Sequence, residues 1–230
     1  MFNGKNKAVT FSYDDGVTQD ERLIQLFDKY GLKATFNLNS ELLGKPGSLN
    51  IGGTKINHNK VSPDKVAALY RNHEVAVHTL THPNLTTLDE EEIVRQVEND
   101  RANLSELCGY EVIGMAYPCG GVNNDERVAE VLRRRTGVKY SRTITSVYSF
   151  EPQTNLLRFN PSVHHVETEK LFSLADEFLA AEPLGPQIFY IWGHSYELDL
   201  NDGWEIFEKF CEKISGRDDI FYGTNREVLL

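Results

Sequence analysis

Short runs of β-forming residues alternate with helical stretches of ten or more residues along almost the whole chain. The strand candidates are residues 8–11, 34–38, 74–77, 112–117, 139–142, 156–159, 187–192 and 220–222. The helix candidates are residues 20–30, 62–72, 88–107, 125–136, 168–181 and 203–214. This alternation predicts βα units and a parallel sheet. About seven such units in 230 residues favour a closed or nearly closed barrel over an open sheet, so we expect one α/β domain over residues 1–230.

One segment departs from this pattern. Residues 43–62 are rich in Gly, Asn and Lys and have little hydrophobic periodicity. We expect a long surface loop here, and loops of this length without regular structure are often functional.

Composition excludes several classes of function. The chain has 24 basic and 34 acidic side chains, a net charge of −10, which argues against a nucleic-acid partner because phosphate binding needs a concentrated basic face. No apolar run approaches the ~20 residues of a membrane span. The N-terminus has no apolar signal-peptide region, and the three cysteines (Cys108, Cys119 and Cys211) suggest no disulfide framework. We therefore expect a cytoplasmic protein with no membrane partner; the sequence sets no oligomeric state.

Polar residues follow the ends of the predicted strands. They are Asp14, Asp15, His78, Cys119 and His194. A (β/α) barrel builds its active site at the carboxyl ends of its strands. A purely structural role would not require all of these residues at the same end, so the pattern indicates an active site.

Asp15, His78 and His82 form a possible three-ligand metal site. Catalytic zinc takes three protein ligands from nitrogen and oxygen donors and keeps the fourth position for water. Histidines at i and i+4 converge on one ion if the segment makes a helical turn. The alternative is that either histidine is an ordinary polar residue in a turn.

Asp14 and Asp15 leave the strand in different directions because they are adjacent. If Asp15 faces the metal, Asp14 is free to act as a general base that takes the proton of an activated water molecule. The alternative is that Asp14-Asp15-Gly16 is an ordinary turn sequence.

Two further residues have candidate catalytic roles. His194 ends a very apolar strand and would be a general acid for a leaving amine, since histidine holds a proton near neutral pH. The alternative is a buried histidine bonded to a carbonyl. Cys119 follows Pro118 and would offer its backbone N–H to a developing oxyanion. We do not expect its thiol to be a nucleophile, since no base is paired with it in the sequence.

These segments resemble the polysaccharide deacetylases, the family-4 carbohydrate esterases. The first motif of that family, in general form Thr-Phe-Asp-Asp-Gly, matches residues 10–16 with Ser12-Tyr13 as a variation. The histidine motif is similar to residues 78–82, and the final Leu-x-His motif resembles residues 191–194. The resemblance implies a distorted (β/α)7-type barrel, a divalent metal usually taken as Zn²⁺, and removal of acetyl groups from sugars. It also implies the roles given above for the site residues: Asp14 as base, His194 as acid, Cys119 at the oxyanion, and Asp15, His78 and His82 on the metal.

The chain departs from the family pattern in two places. The third motif usually carries an Arg before its Pro and a Tyr after it, and Ala116-Tyr117-Pro118-Cys119 has neither in those places. That Arg normally orients the base, and Arg142 is the candidate substitute; the alternative is a surface arginine. The fourth motif has no clear match, and Arg158, His164 and His165 in that region receive no role.

Three functions are consistent with these residues. The leading one is a metal-dependent hydrolase that removes acetyl groups from an N-acetylated sugar, either a small molecule or an oligosaccharide. A second is hydrolysis of a non-sugar, cyclic amide on the same fold. A third is a non-catalytic carbohydrate-binding protein that uses exposed aromatic residues such as Trp204 or Tyr196.

Overall fold

Ten strands and seven helices follow one another along residues 2–230, the part of the chain that this computed structural model describes. The strands are β1 (Lys7–Asp14), β2 (Ala34–Leu38), β3 (Ser48–Ile51), β4 (Thr54–Asn57), β5 (Glu74–Val77), β6 (Gly114–Ala116), β7 (Tyr140–Arg142), β8 (Val163–His164), β9 (Gln187–Gly193) and β10 (Ile220–Tyr222). The helices are α1 (Asp20–Tyr30), α2 (Val66–Leu69), α3 (Glu90–Cys108), α4 (Glu126–Arg135), α5 (Thr168–Ala180), α6 (Gly203–Ile214) and α7 (Asn225–Leu229). No helix in this range is both long and apolar enough to cross a membrane.

The main sheet is parallel, with strand order β7-β6-β5-β2-β1-β9-β8. Strand β10 pairs with the first residues of β1. One short segment contacts both ends of this strand order: Phe159 pairs with Arg142 of β7, and β8, which begins four residues later, pairs with β9. The expected distorted (β/α)7-type barrel is therefore confirmed.

The two faces of β1 have different surroundings. Phe11 and Tyr13 point outward, where their rings pack against Phe27 of α1 and Phe207 of α6. The alternate residues, among them Ser12, form a hydrogen-bonded polar interior. Because a strand sends successive side chains to opposite faces, this alternation also directs Asp14 into the barrel.

Two predicted elements were wrong or incomplete. Residues 156–159 are not a strand: Leu156–Arg158 form a 3-10 helix, and only Phe159 pairs with the sheet. The predicted helix from residue 62 is a 3-10 turn followed by the short α2. A run of four residues is too short to separate helical from strand periodicity, which explains the first error.

The segment expected to be an unstructured loop contains the antiparallel hairpin β3–β4. Its turn is Gly52-Gly53, and both glycines have positive φ (59° and 87°). A two-residue hairpin turn with positive φ at both positions favours glycine, because other residues are strained there. The Gly-Gly pair was the available signal. It was missed because the flanking strands are polar and largely exposed.

Candidate active site

The strand-end residues converge at one end of the barrel. His78 follows β5, His194 follows β9, and the Nε2 atoms of these two histidines lie 3.9 and 4.0 Å from the same oxygen, Oδ2 of Asp14. His82 Nε2 lies 3.6 Å from Oδ1 of Asp15. The structure thus brings five of the predicted residues into one cluster at the carboxyl ends of parallel strands, as in other (β/α) barrels.

The backbone around this cluster is strained. Four non-glycine residues have φ between 63° and 82°: Asp15, Thr79, His82 and Cys119. Such conformations cost about 1–3 kcal/mol each and persist only where the surrounding structure enforces them, commonly at functional sites. They also correct one expectation. The segment from His78 to His82 is not a helical turn, and its two imidazoles approach (ring centroids 4.9 Å apart) through positive φ at Thr79 and His82.

Asp14 is buried against Arg142, the residue that ends β7. Arg142 Nη2 donates to both carboxylate oxygens of Asp14, at 2.5 Å from Oδ1, and Asn37 Nδ2 donates to Oδ1 at 2.8 Å. Arg142 is completely buried, so the alternative of a surface arginine is wrong. Burial, the largest single influence, raises the pKa of Asp14, but the charge and hydrogen bond of Arg142 together with the neighbouring His78 and His194 outweigh it and hold the pKa below the ordinary value.

Asp15 is held by two residues that the sequence did not suggest. His58 Nε2 lies 3.1 Å from Oδ2, and Lys60 Nζ lies 3.4 Å from Oδ1. Lys60 Nζ also donates to the backbone carbonyl of Asp15 at 2.7 Å. Burial opposes ionisation, yet the His58 hydrogen bond and the Lys60 charge keep the pKa of Asp15 well below its ordinary value.

The two histidines beside Asp15 are suited to bind a cation. His78 Nδ1 lies 2.8 Å from the carbonyl oxygen of Ala116. Because a carbonyl can only accept a hydrogen bond, Nδ1 must carry the proton, and Nε2 of the neutral ring is therefore unprotonated. Burial lowers the pKa of His78 to about 4 and also lowers the pKa of His82. Both rings are therefore neutral at pH 7.

His194 has the opposite electrostatic environment. Its Nδ1 lies 3.2 Å from Oε2 of Glu197, and its backbone N–H donates to the same oxygen at 2.9 Å. Burial lowers the pKa of His194, but the Glu197 carboxylate outweighs it and raises the pKa to about 9. His164 Nε2 and His165 Nε2 also lie 3.0 Å from this oxygen, and His165 Nδ1 is 2.8 Å from the hydroxyl of Tyr13. Glu197 is therefore fixed from several sides.

A stack of side chains links Arg142, the partner of Asp14, to the histidines that contact Glu197, the partner of His194. The Arg142 guanidinium lies 4.5 Å from the centroid of the Trp192 ring, and His164 stacks on Trp192 at 4.3 Å. The cation that holds Asp14 is thereby packed against the same layer that holds Glu197.

Cys119 lies at the edge of the site beside His82. Its Sγ is 3.4 Å from the carbonyl oxygen of His82 and 3.8 Å from Nδ1. Within residues 2–230 its backbone N–H has no hydrogen-bond acceptor, so it is free to donate to a bound ligand. Burial and the charge of Asp15 raise the pKa of the thiol, which agrees with the expectation that it is not a nucleophile.

Comparison with known proteins shows the family of the chain. The family model described as polysaccharide deacetylase matches residues 3–140, more than half of the chain. The chain belongs to the polysaccharide deacetylase family. No curated protein sequence matches it significantly.

Solved structures of polysaccharide deacetylases share the fold at low sequence identity. One from Mycobacterium smegmatis, described as putative, is 14% identical with a TM-score of 0.68, and the match covers 98% of this chain and 90% of that one. A deacetylase from Streptococcus pyogenes in complex with acetate is 17% identical (TM-score 0.52, covering 65% and 61%). A CE4 family pseudoenzyme from Bacillus anthracis is 18% identical (TM-score 0.56, covering 98% and 66%). The match thus spans 61% of the length of the Streptococcus pyogenes protein and 66% of that of the Bacillus anthracis protein, and the likeness concerns the fold.

The donor set of this family member fits a divalent metal. Ligand atoms of Asp15, His78 and His82 lie within 4.8 Å of one another. Donors bound at about 2.1 Å to one zinc ion lie roughly 3–4 Å apart, so the set needs only small adjustments. The ionised carboxylate and the two neutral imidazoles have the protonation states that metal binding requires.

Some residues that build this deacetylase-like site were not predicted. Glu197 lies three residues beyond the final motif and was given no role, and His58 and Lys60 fell in the segment expected to be a loop. Their signals were weak: an acid three residues after His194, and two polar residues near the end of an irregular segment. The third, carbohydrate-binding alternative relied on exposed aromatic residues such as Trp204 or Tyr196, and that part of it was wrong, because both side chains are only 8% exposed.

Proposed function

We propose that this protein is a metal-dependent hydrolase that removes the acetyl group from an N-acetylated sugar. One observation carries the proposal: Asp14, paired with Arg142, lies between a metal-type donor set and a histidine that holds its proton. The donor atoms of His78 and His194 lie about equally far from Asp14 Oδ2, at 3.9 and 4.0 Å. Family membership supports the same reaction class.

Asp15, His78 and His82 would hold the metal. A divalent ion held there polarises the acetyl carbonyl and makes a water molecule more acidic. The remaining steps belong to side chains of this protein.

Asp14 takes the proton of the attacking water. The lowered pKa of its carboxyl group keeps it ionised and able to accept at neutral pH. Arg142 and Asn37 hold the carboxylate in one orientation, so its free lone pairs face the site. Arg142 thus supplies the orientation that the missing motif arginine would give.

His194 gives a proton to the nitrogen that leaves the acyl carbon. With a pKa of about 9, its imidazole is protonated at pH 7, which an acid catalyst requires. The ring has a donor, Nε2, on the side of Asp14, while Nδ1 faces Glu197. The free N–H of Cys119 would stabilise the oxyanion that forms when water adds to the carbonyl.

Acetate release tests this proposal. Zinc-loaded protein is incubated with N-acetylated chito-oligosaccharides, peptidoglycan fragments and nucleotide sugars, and with small cyclic amides as the competing class. We expect acetate from at least one sugar substrate and none after removal of the metal by a chelator. Turnover of cyclic amides alone would favour the second function, and no turnover of any substrate would refute the proposal.

A further inference from the structure

Residues 43–62, which we call the arm, form backbone hydrogen bonds with the residues that directly follow Asp15. The arm contains the hairpin β3–β4 and then runs beside residues 16–18. Thr18 N–H donates to the carbonyl of Asn59, and Val61 N–H donates to that of Gly16, both at 2.9 Å. Lys60 lies between these two bonds, so its backbone position relative to Asp15 is fixed.

Lys60 points its ammonium group at the proposed metal ligand. Its Nζ is 3.4 Å from Oδ1 of Asp15, the same oxygen that lies 3.6 Å from His82 Nε2. The side chain is only 7% exposed, so this charge is poorly screened by water. The bond from Nζ to the Asp15 carbonyl, at 2.7 Å, holds the ammonium close to the ligand.

We propose that Lys60 is a built-in counter-cation of Asp15 that competes with the metal ion and weakens its binding. This inference rests on the proposed function, because it concerns the metal site that the hydrolase would use. Without metal, three acid–base pairs balance the charges of this region: Asp14 with Arg142, Asp15 with Lys60, and Glu197 with His194. A buried carboxylate without a partner is costly, so Lys60 stabilises the metal-free fold.

Binding of the ion changes that balance. An ion held by Asp15, His78 and His82 would compete with the ammonium for Oδ1 of Asp15, and the hydrogen bond from Lys60 Nζ to the Asp15 carbonyl would keep the ammonium near that second positive charge. Repulsion at this distance inside a protein is substantial. The expected consequence is a metal ion that exchanges readily, and a Lys60 variant without charge that binds the ion more tightly.

Zinc affinity, measured by competition with a chromogenic chelator, tests this inference. We expect Lys60→Met and Lys60→Gln to bind zinc at least about tenfold more tightly than wild type, since both remove the charge and Gln keeps a donor for the Asp15 carbonyl. Lys60→Arg, which keeps the charge, and Lys55→Met, the same substitution at an exposed position of the hairpin, should stay within about twofold of wild type.

Thermal unfolding gives a second readout. Without metal, both neutral Lys60 variants should melt at a lower temperature than wild type, and saturating zinc should remove most of that difference. Unchanged or weaker zinc binding by these variants, with normal binding by wild type, overturns the role of Lys60 alone. Absence of zinc binding in wild type and in every variant overturns the metal site as well.

Discussion

Asp14 and Asp15 are adjacent in sequence, yet different parts of the molecule hold them. Asp14 points into the barrel, where Arg142 from β7 and Asn37 from β2 fix its carboxylate. Asp15 turns away from the strand at a φ of 82°, where His58 and Lys60 of the arm fix it. The first environment is built by the sheet, and the second by the last residues of the arm, which follow the hairpin and pair with residues 16–18.

The difference suits the two tasks proposed for these residues, general base for Asp14 and metal ligand for Asp15. A general base needs an orientation that does not change, and strand-borne partners inside a packed barrel supply it. A metal ligand must exchange one partner for another when the ion binds and leaves. In the proposed metal site, Lys60 of the arm is the partner that the ion would displace from Oδ1 of Asp15, and the strand-borne contacts of Asp14 are not involved.

The largest effect is expected at Asp14. Asp14→Asn should lower kcat by about 10³-fold or more, because the amide cannot accept a proton from water. Acetate release under saturating substrate measures it, and Asp218→Asn, at an exposed acid, is the matched control. A loss below tenfold would mean that Asp14 is not the base and that the two carboxylates have been assigned in the wrong order.

Removal of Arg142 should be the most destabilising change. Arg142→Met leaves the Asp14 carboxylate buried and unpaired, which should cost about 3–5 kcal/mol in the free energy of unfolding. Urea denaturation measures this cost. The double variant Arg142→Met with Asp14→Asn should recover a large part of the loss, whereas equal stability of the single and double variants would exclude the pair as the cause.

On the arm side, His58→Ala should weaken zinc binding by about 10–100-fold, because His58 orients Asp15 through the oxygen that faces away from His82. His58→Gln, which keeps a donor, should lose less. The effect is opposite in sign to that of Lys60→Met, so one titration series compares both arm residues. Tighter binding in His58→Ala would contradict a positioning role.

The smallest expected effect concerns pH. In wild type, kcat should fall as pH rises through about 9, since His194 loses its proton there. Glu197→Gln removes the charge that raises this pKa, so the alkaline limb should move to lower pH and activity at pH 8 should drop about tenfold. At pH 6 the two proteins should differ much less. An alkaline limb that does not move would show that Glu197 does not control the protonation of His194.

The sequence was sufficient to predict the sheet side of the site. Because parallel strands end at the same edge, polar residues after β1, β5 and β9 could be expected to meet, and the structure brings them together. Arg142 could be proposed as a site residue for the same reason, since it ends a predicted strand. None of these inferences depended on knowing how a loop folds.

The arm side could not be predicted in this way. His58 and Lys60 approach Asp15 only because the arm pairs with residues 16–18, and polar, exposed strands show no hydrophobic alternation that would indicate such pairing. Glu197 depends on the 3-10 helix Ser195–Asp199, which turns its carboxylate back toward the His194 N–H. Local turns of this kind are set by tertiary packing as much as by local sequence.

Metal analysis of two neighbouring variants tests the central assignment most directly. Asp14→Asn and Asp15→Asn are reconstituted with zinc, freed of excess ion and analysed for bound metal. We expect Asp14→Asn to retain about one zinc per chain and Asp15→Asn to lose it, because only Asp15 shares the donor set with His78 and His82. Zinc retained by Asp15→Asn and lost by Asp14→Asn would contradict the division between the base and the metal ligand.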